Sequence, residues 1–108
     1  MKLLIPLVMF VLFTAGNVSW AADAKAGKAV YDSKCKTCHG AGGEGNAALA
    51  KTLKVEFKHL GSKEVQAKTD DQLKKDTTAG IGKMQPVKGL SDTQFPDLIA
   101  FLRTLAKS

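Results

Sequence analysis

The chain is poor in the side chains that usually fill a protein interior. Its aromatics are one Trp, one Tyr and five Phe in 108 residues, and Phe10, Phe13 and Trp20 all fall near the N-terminus. It has two cysteines only three positions apart. A disulfide between them would close a very short loop and constrain little of the unfolded chain. No apolar run reaches the roughly 20 residues that span a bilayer. Histidine is limited to His39 and His59, too few for the second ligand pair that a structural zinc site would need. No aromatics interleave with the lysines, so the stacking platform of a single-strand nucleic-acid binder is missing despite a formal charge of +6. Internal repeats, strand-like alternation and long linkers are absent too.

What is present begins with an export signal. Met1-Lys2 gives a positive start, residues 3–15 are almost wholly apolar, and Gly16, Asn17 and Ser19 follow. That order is the pattern of a secretory signal peptide. Ser19-Trp20-Ala21 places small residues at the third and first positions before a cut after Ala21. The sequence therefore predicts a cleaved signal over residues 1–21 and one domain over residues 22–108. The mature chain then loses Lys2 from its 16 basic residues and none of its 10 acidic ones, leaving a net charge of +5. Trp20 is lost as well, and only Tyr31, Phe57, Phe95 and Phe101 remain as aromatics. A domain this small is marginal unless a disulfide framework, a metal or a cofactor adds buried area. A cofactor is the expected answer.

Helical signals run along the mature chain. The Ala- and Lys-rich stretch over residues 23–34 favours helix, with Asp23 suited to its start. Asn46 is placed to cap a short helix through about Thr52, and Ser62 another through about Ala67. Thr69 with Gln72 forms a capping box, and Asp70 and Asp71 sit at the positive end of a helix that should stop near Gly80. Leu98, Phe101, Leu102 and Leu105 make an i, i+3, i+4, i+7 stripe on a last helix. Ser91 with Gln94 also reads as a capping box, but Pro96 would then fall beyond the first turn. Thr93 is the preferred cap, because it keeps Pro96 within that turn. The fold class is all-α, with three to five helices.

Cys35-Lys36-Thr37-Cys38-His39 is a C-x-x-C-H sequence, the c-type haem attachment pattern. Two sulfurs three residues apart on a helical turn can reach neighbouring vinyl groups of one porphyrin. The histidine directly after them is then held where its imidazole can bind iron. A thioredoxin-like redox pair would need a βαβ context, which a helical, glycine-broken chain does not supply. Residues 40–45 match G-x-G-x-x-G by letter, but no strand precedes them, so the match is accidental. Their expected task is to let the backbone turn closely around the haem edge.

The opposite face of the iron needs its own ligand. Once Met1 and Met9 leave with the signal, Met84 is the sole methionine of the mature chain. It sits in Gly82-Lys83-Met84-Gln85-Pro86, a Gly/Pro-punctuated loop where core filler is out of place. His59 is the rival, in a segment without a strong signal. Met84 is favoured.

With these residues in view, the chain resembles the class I cytochromes c over nearly all of its mature length. Gly27, Tyr31, Cys35, Cys38 and His39 meet the family signature G-x-x-x-[FY]-x-x-x-C-x-x-C-H. The resemblance implies that the first helix packs on the last and that Met84 is the sixth iron ligand. There are departures: Gln85 separates Met84 from Pro86, no proline follows the motif to accept from the His39 ring, and the mature chain has no tryptophan.

The function implied is that of a soluble periplasmic one-electron carrier, cycling between Fe(III) and Fe(II), without catalytic residues and without membrane insertion after cleavage. Two other readings fit the same residues: a haem subunit of a dehydrogenase or oxidase, and an open-site haem sensor or peroxidase-like protein. Lys34, Lys36, Lys83 and Lys88 suggest a positive rim that would steer redox partners with acidic surfaces. A monomer is expected, with no nucleic-acid partner.

Overall fold

The computed structural model describes residues 22–107; the expected signal over residues 1–21 lies outside them. The described residues form six helices and no strand: α1 Ala24–Lys34, α2 Lys36–His39, α3 Ala47–Leu53, α4 Lys63–Gln66, α5 Asp70–Ala79 and α6 Gln94–Thr104. Six exceeds the expected three to five because one rod is broken. Cys35, at φ −120° and ψ −34°, leaves helical geometry between α1 and α2. With α1 and α2 taken as one bent unit, the number is five.

The local capping chemistry explains most boundaries. Asp23 accepts from the backbone N–H groups of Lys25 and Ala26, and Asn46 from those of Ala48 and Leu49. Ser62 and Thr69 each accept from one amide in the turn that follows. Each bond satisfies a donor that the first helical turn leaves free. Gly80 ends α5 at φ +79°, a backbone region open to glycine. The start of α6 combines both sequence readings. Thr93 occupies the cap position and Pro96 lies within the first turn, yet the Thr93 side chain makes no cap bond. Instead the Gln94 side chain reaches back to the Ser91 N–H at 2.9 Å, while the Gln94 N–H bonds the Ser91 carbonyl.

Packing is centred where α1 crosses α6. Gly27 makes that crossing possible, because a Cβ built there would lie 1.8 Å from the Asp97 carbonyl oxygen. One turn further along α1, Tyr31 is fully buried and its ring tilts at 50° against Phe101, with centroids 4.9 Å apart. Leu98 completes this cluster, and Val30, Leu60, Leu102 and Leu105 pack around it. The expected contact of the first and last helices is therefore present. Phe95 and Ile99 on α6 and Leu73 on α5 are the other large buried apolar side chains.

A polar knot secures the segment before α5. Gln66 donates to the carbonyls of Leu60 and Leu102, both at 2.9 Å. Arg103 donates to the carbonyls of Gln66 and Lys68 and to the Asp70 carboxylate. These bonds tie residues 60–70 to the last helix. At about one kcal/mol each they fix geometry more than they add stability.

Candidate functional site

Cys35, Cys38 and His39 are brought onto one helical turn. The amides of Cys38 and His39 both donate to the Cys35 carbonyl, at 3.2 and 3.0 Å. This bonding follows directly from the break at Cys35, which caps α2 and opens its first turn. Neither cysteine is in a disulfide; Cys35 is half-buried against the core cluster and Cys38 is exposed. Burial, and then the nearby Cys38, push the Cys35 thiol up to about 11. It is therefore a neutral thiol at ordinary pH.

The turn is closed from behind by groups that were not evident as site residues in the sequence. Asn46 donates its side-chain amide to the Thr37 carbonyl at 3.1 Å and its backbone N–H to the Cys38 carbonyl at 2.8 Å. The Gly45 N–H donates to the His39 carbonyl at 2.7 Å. The Tyr31 hydroxyl donates to the Gly40 carbonyl. Four successive carbonyls at the end of the turn thus have partners. Asn46 was legible as a helix cap, but its second bond is tertiary and carries no sequence signal.

The glycines of residues 40–45 serve this closure. Gly43 and Gly45 have φ of +81° and +91°, and a Cβ on either would press on Leu60 or Phe57 at 2.8 and 2.6 Å. The Gly43 carbonyl accepts from the Leu60 N–H at 3.0 Å. Glu44 accepts from the Gly42 amide at 2.8 Å, and its own backbone amide, with the Gly42 bond second, holds its carboxyl below the usual range. The loop turns tightly on itself and on Leu60.

His39 is the chemically incomplete residue. Its ring meets Phe57 edge-on, with centroids 5.7 Å apart. Burial depresses its pKa, so the imidazole is held in the neutral form that ligates metals. Its Nδ1 is buried without a hydrogen-bond partner, the one such side-chain atom among the described residues. An unsatisfied buried polar atom costs about 1–3 kcal/mol. The proline carbonyl that could meet it in similar sequences has no counterpart between His39 and Met84.

Met84 lies half-buried on a separate tight turn. Ile81 and Met84 exchange backbone hydrogen bonds at 3.2 and 2.9 Å around Gly82, whose φ is +56°. The Val87 N–H ties the loop to α5 through the Thr77 carbonyl at 2.8 Å, and the Lys83 ammonium reaches the Leu53 carbonyl on α3 at 3.2 Å. Ile81 and Leu53 are the large apolar side chains left about half exposed, at 48% and 47%. His59, the rival ligand, has its Nδ1 committed to the Gly61 N–H at 2.9 Å.

Lys34 sits beside the same loop, its ammonium 3.4 Å from where a Gly89 Cβ would stand. No helix among the described residues is long and apolar enough to cross a membrane, and no group of three or more His, Cys, Asp or Glu is placed to hold a metal ion. The donor set instead fits a haem. It offers two free thiols one turn apart, an adjoining neutral imidazole, and a domain otherwise short of core.

Residues 24–106 match the family described as Cytochrome c. The chain is 31% identical to a cytochrome c6 of Picosynechococcus sp., over all of this chain and 97% of the relative. It is 33% identical to a cytochrome c-554(547) of Halothiobacillus neapolitanus, over 79% of this chain and 99% of that one. A cytochrome c-555 of Chlorobaculum tepidum is also 33% identical, over 89% and 88%. No solved structure matches significantly.

Proposed function

This chain belongs to the cytochrome c family, and on that premise we propose a division of labour among its residues. The protein is an electron carrier with one covalently bound haem c. Cys35 and Cys38 would hold that group covalently, through thioethers to its two vinyl carbons. The His39 imidazole and the Met84 sulfur would ligate its iron. When bound, the group supplies an iron that accepts and returns one electron.

The chain's own residues keep that exchange simple. His39 stays neutral through burial, so no proton must leave it before ligation. The Tyr31, Gly45 and Asn46 bonds fix the turn that carries it. With both His39 and Met84 as ligands, the iron would have no open position for a substrate. That is the property of a carrier rather than an enzyme. The observation that carries this reading is the free thiol pair on the turn that ends in His39, whose imidazole burial keeps neutral.

The finer assignments follow from sequence. The signal over residues 1–21 would deliver the chain to the periplasm as residues 22–108. Lys34, Lys36, Lys83 and Lys88, all exposed, would favour redox partners with acidic surfaces, and the protein works as a monomer. The position of Lys34 beside the Met84 loop supports such a rim.

Replacing Met84 by Ala tests the ligand set. The oxidised wild type should show the weak sulfur-to-iron charge-transfer band, and the oxidised variant should lack it and bind carbon monoxide rapidly once reduced. A variant that keeps the band shows that Met84 is not the ligand.

A further inference from the structure

Three ties hold the turn bearing Met84. The exchange between Ile81 and Met84 lies within the turn, and the Val87–Thr77 bond runs back to α5, the helix that leads into the loop. The third is different in kind. Lys83 sends its ammonium 30 residues back along the chain to the Leu53 carbonyl, at 3.2 Å.

That acceptor has reason to be receptive. Leu53 is the last residue of α3, where carbonyls are left without helical partners and the helix dipole is negative. The chain leaves α3 through Lys54 in the left-handed region, at φ 54° and ψ 48°, whose own N–H turns back to Ala50 and Lys51. The local cap therefore serves the carbonyls of Ala50 and Lys51. Lys83 serves that of Leu53. Gly82, beside Lys83, has nothing within 4 Å of where a Cβ would stand, so the turn has no close packing there to hold it.

We propose that Lys83 is a positioning residue: its bond to the Leu53 carbonyl latches the Met84 turn to α3 and keeps the sulfur seated on the iron. This rests on Met84 being the ligand. It adds that the seating is controlled by a charged hydrogen bond from the neighbouring residue to another helix. Without the latch, the turn keeps its internal bonds and its tie to α5 but swings away from α3 more often. The sulfur then leaves the iron more often, while the overall fold is unchanged.

The test uses the haem-loaded protein, in the oxidised state, with imidazole as a neutral external ligand. At saturating imidazole the binding rate equals the rate at which the Met84 turn opens. Lys83→Leu should open about fivefold faster, the effect expected of one charge-assisted bond at a partly solvated site. Lys83→Arg, which keeps a donor, should return most of the way to wild type. Lys88→Leu removes the same charge from the same loop, leaves the Lys83–Leu53 bond in place, and should open at the wild-type rate. Far-UV dichroism spectra at the assay temperature should be closely similar for all four proteins, showing that the overall fold is unchanged. Equal opening rates in Lys83→Leu and wild type overturn the latch, as does equal acceleration in Lys88→Leu. An oxidised wild type without the sulfur-to-iron band overturns the Met84 assignment itself, and the latch with it.

Discussion

The hydroxyl of Tyr31, in the middle of the helix crossing, donates to the carbonyl of Gly40, the residue directly after His39. One side chain thus joins the most buried contact in the molecule to the end of the turn that holds the imidazole. Removing that hydroxyl with Tyr31→Phe leaves the ring contact with Phe101 and strips a partner from Gly40. The expected cost is about 1 kcal/mol in chemical denaturation, the usual net value of one hydrogen bond. A second reading comes from ultraviolet titration. Burial, with the Glu44 and Asp32 carboxylates in support, pushes the phenol up to about 12. Wild type should therefore show no phenolate absorbance at pH 10 unless it unfolds.

Gly27 sets how closely α1 and α6 approach. A methyl group there meets the Asp97 carbonyl at 1.8 Å, and that oxygen belongs to helix backbone that cannot step aside alone. Gly27→Ala should destabilise the protein by about 3 kcal/mol through overpacking, despite the better helix propensity of alanine. Lys28→Ala, one residue on at an exposed position, should change stability by no more than about 0.5 kcal/mol. Thermal melting of the two variants side by side gives the comparison.

Acid should weaken the fold partly through Asp76. Its carboxylate accepts from Lys68 at 2.9 Å and from Gln72 at 2.7 Å, and the Lys68 bond chiefly holds its pKa below the ordinary value. A depressed carboxylate contributes stability that is complete above the unfolded-state pKa, about 3.9 for aspartate. That contribution is lost as pH falls through the folded-state value. Asp76→Asn should thus be less stable than wild type at pH 7, with the difference shrinking below pH 4. Denaturation curves at the two pH values test the sign.

Lys54 ends α3 in the left-handed region, the one non-glycine residue with positive φ among those described. Lys54→Gly should stabilise by about 0.5 kcal/mol, because relief of the strained conformation outweighs the added freedom of the unfolded chain. A midpoint shift towards lower denaturant would contradict this.

The sequence carried those features whose causes are local. Asp23, Asn46, Ser62 and Thr69 cap helices as read, because each acts on amides two or three residues away. The stripe at Leu98, Phe101 and Leu102 pointed to a buried face, and Gly27 with Tyr31 supplied the partner. The sequence offers both Ser91 and Thr93 as the start of α6, and the helix uses the position of Thr93 and the polar contacts of Ser91. The break at Cys35 left no mark, since nothing about a cysteine between two lysines forbids helix. The second bond of Asn46, the Lys83–Leu53 tie and the Gln66–Arg103 knot were equally hidden. Each joins residues far enough apart that only the assembled fold brings them together.

Cys35 and Cys38 are proposed to hold a haem covalently. The direct measurement is the mass of the exported, purified protein under denaturing conditions, with its visible spectrum. The polypeptide should run heavier than its own mass by one haem, retain its colour through acid extraction, and have no titratable thiol. A folded, colourless protein at polypeptide mass with both thiols free would contradict it.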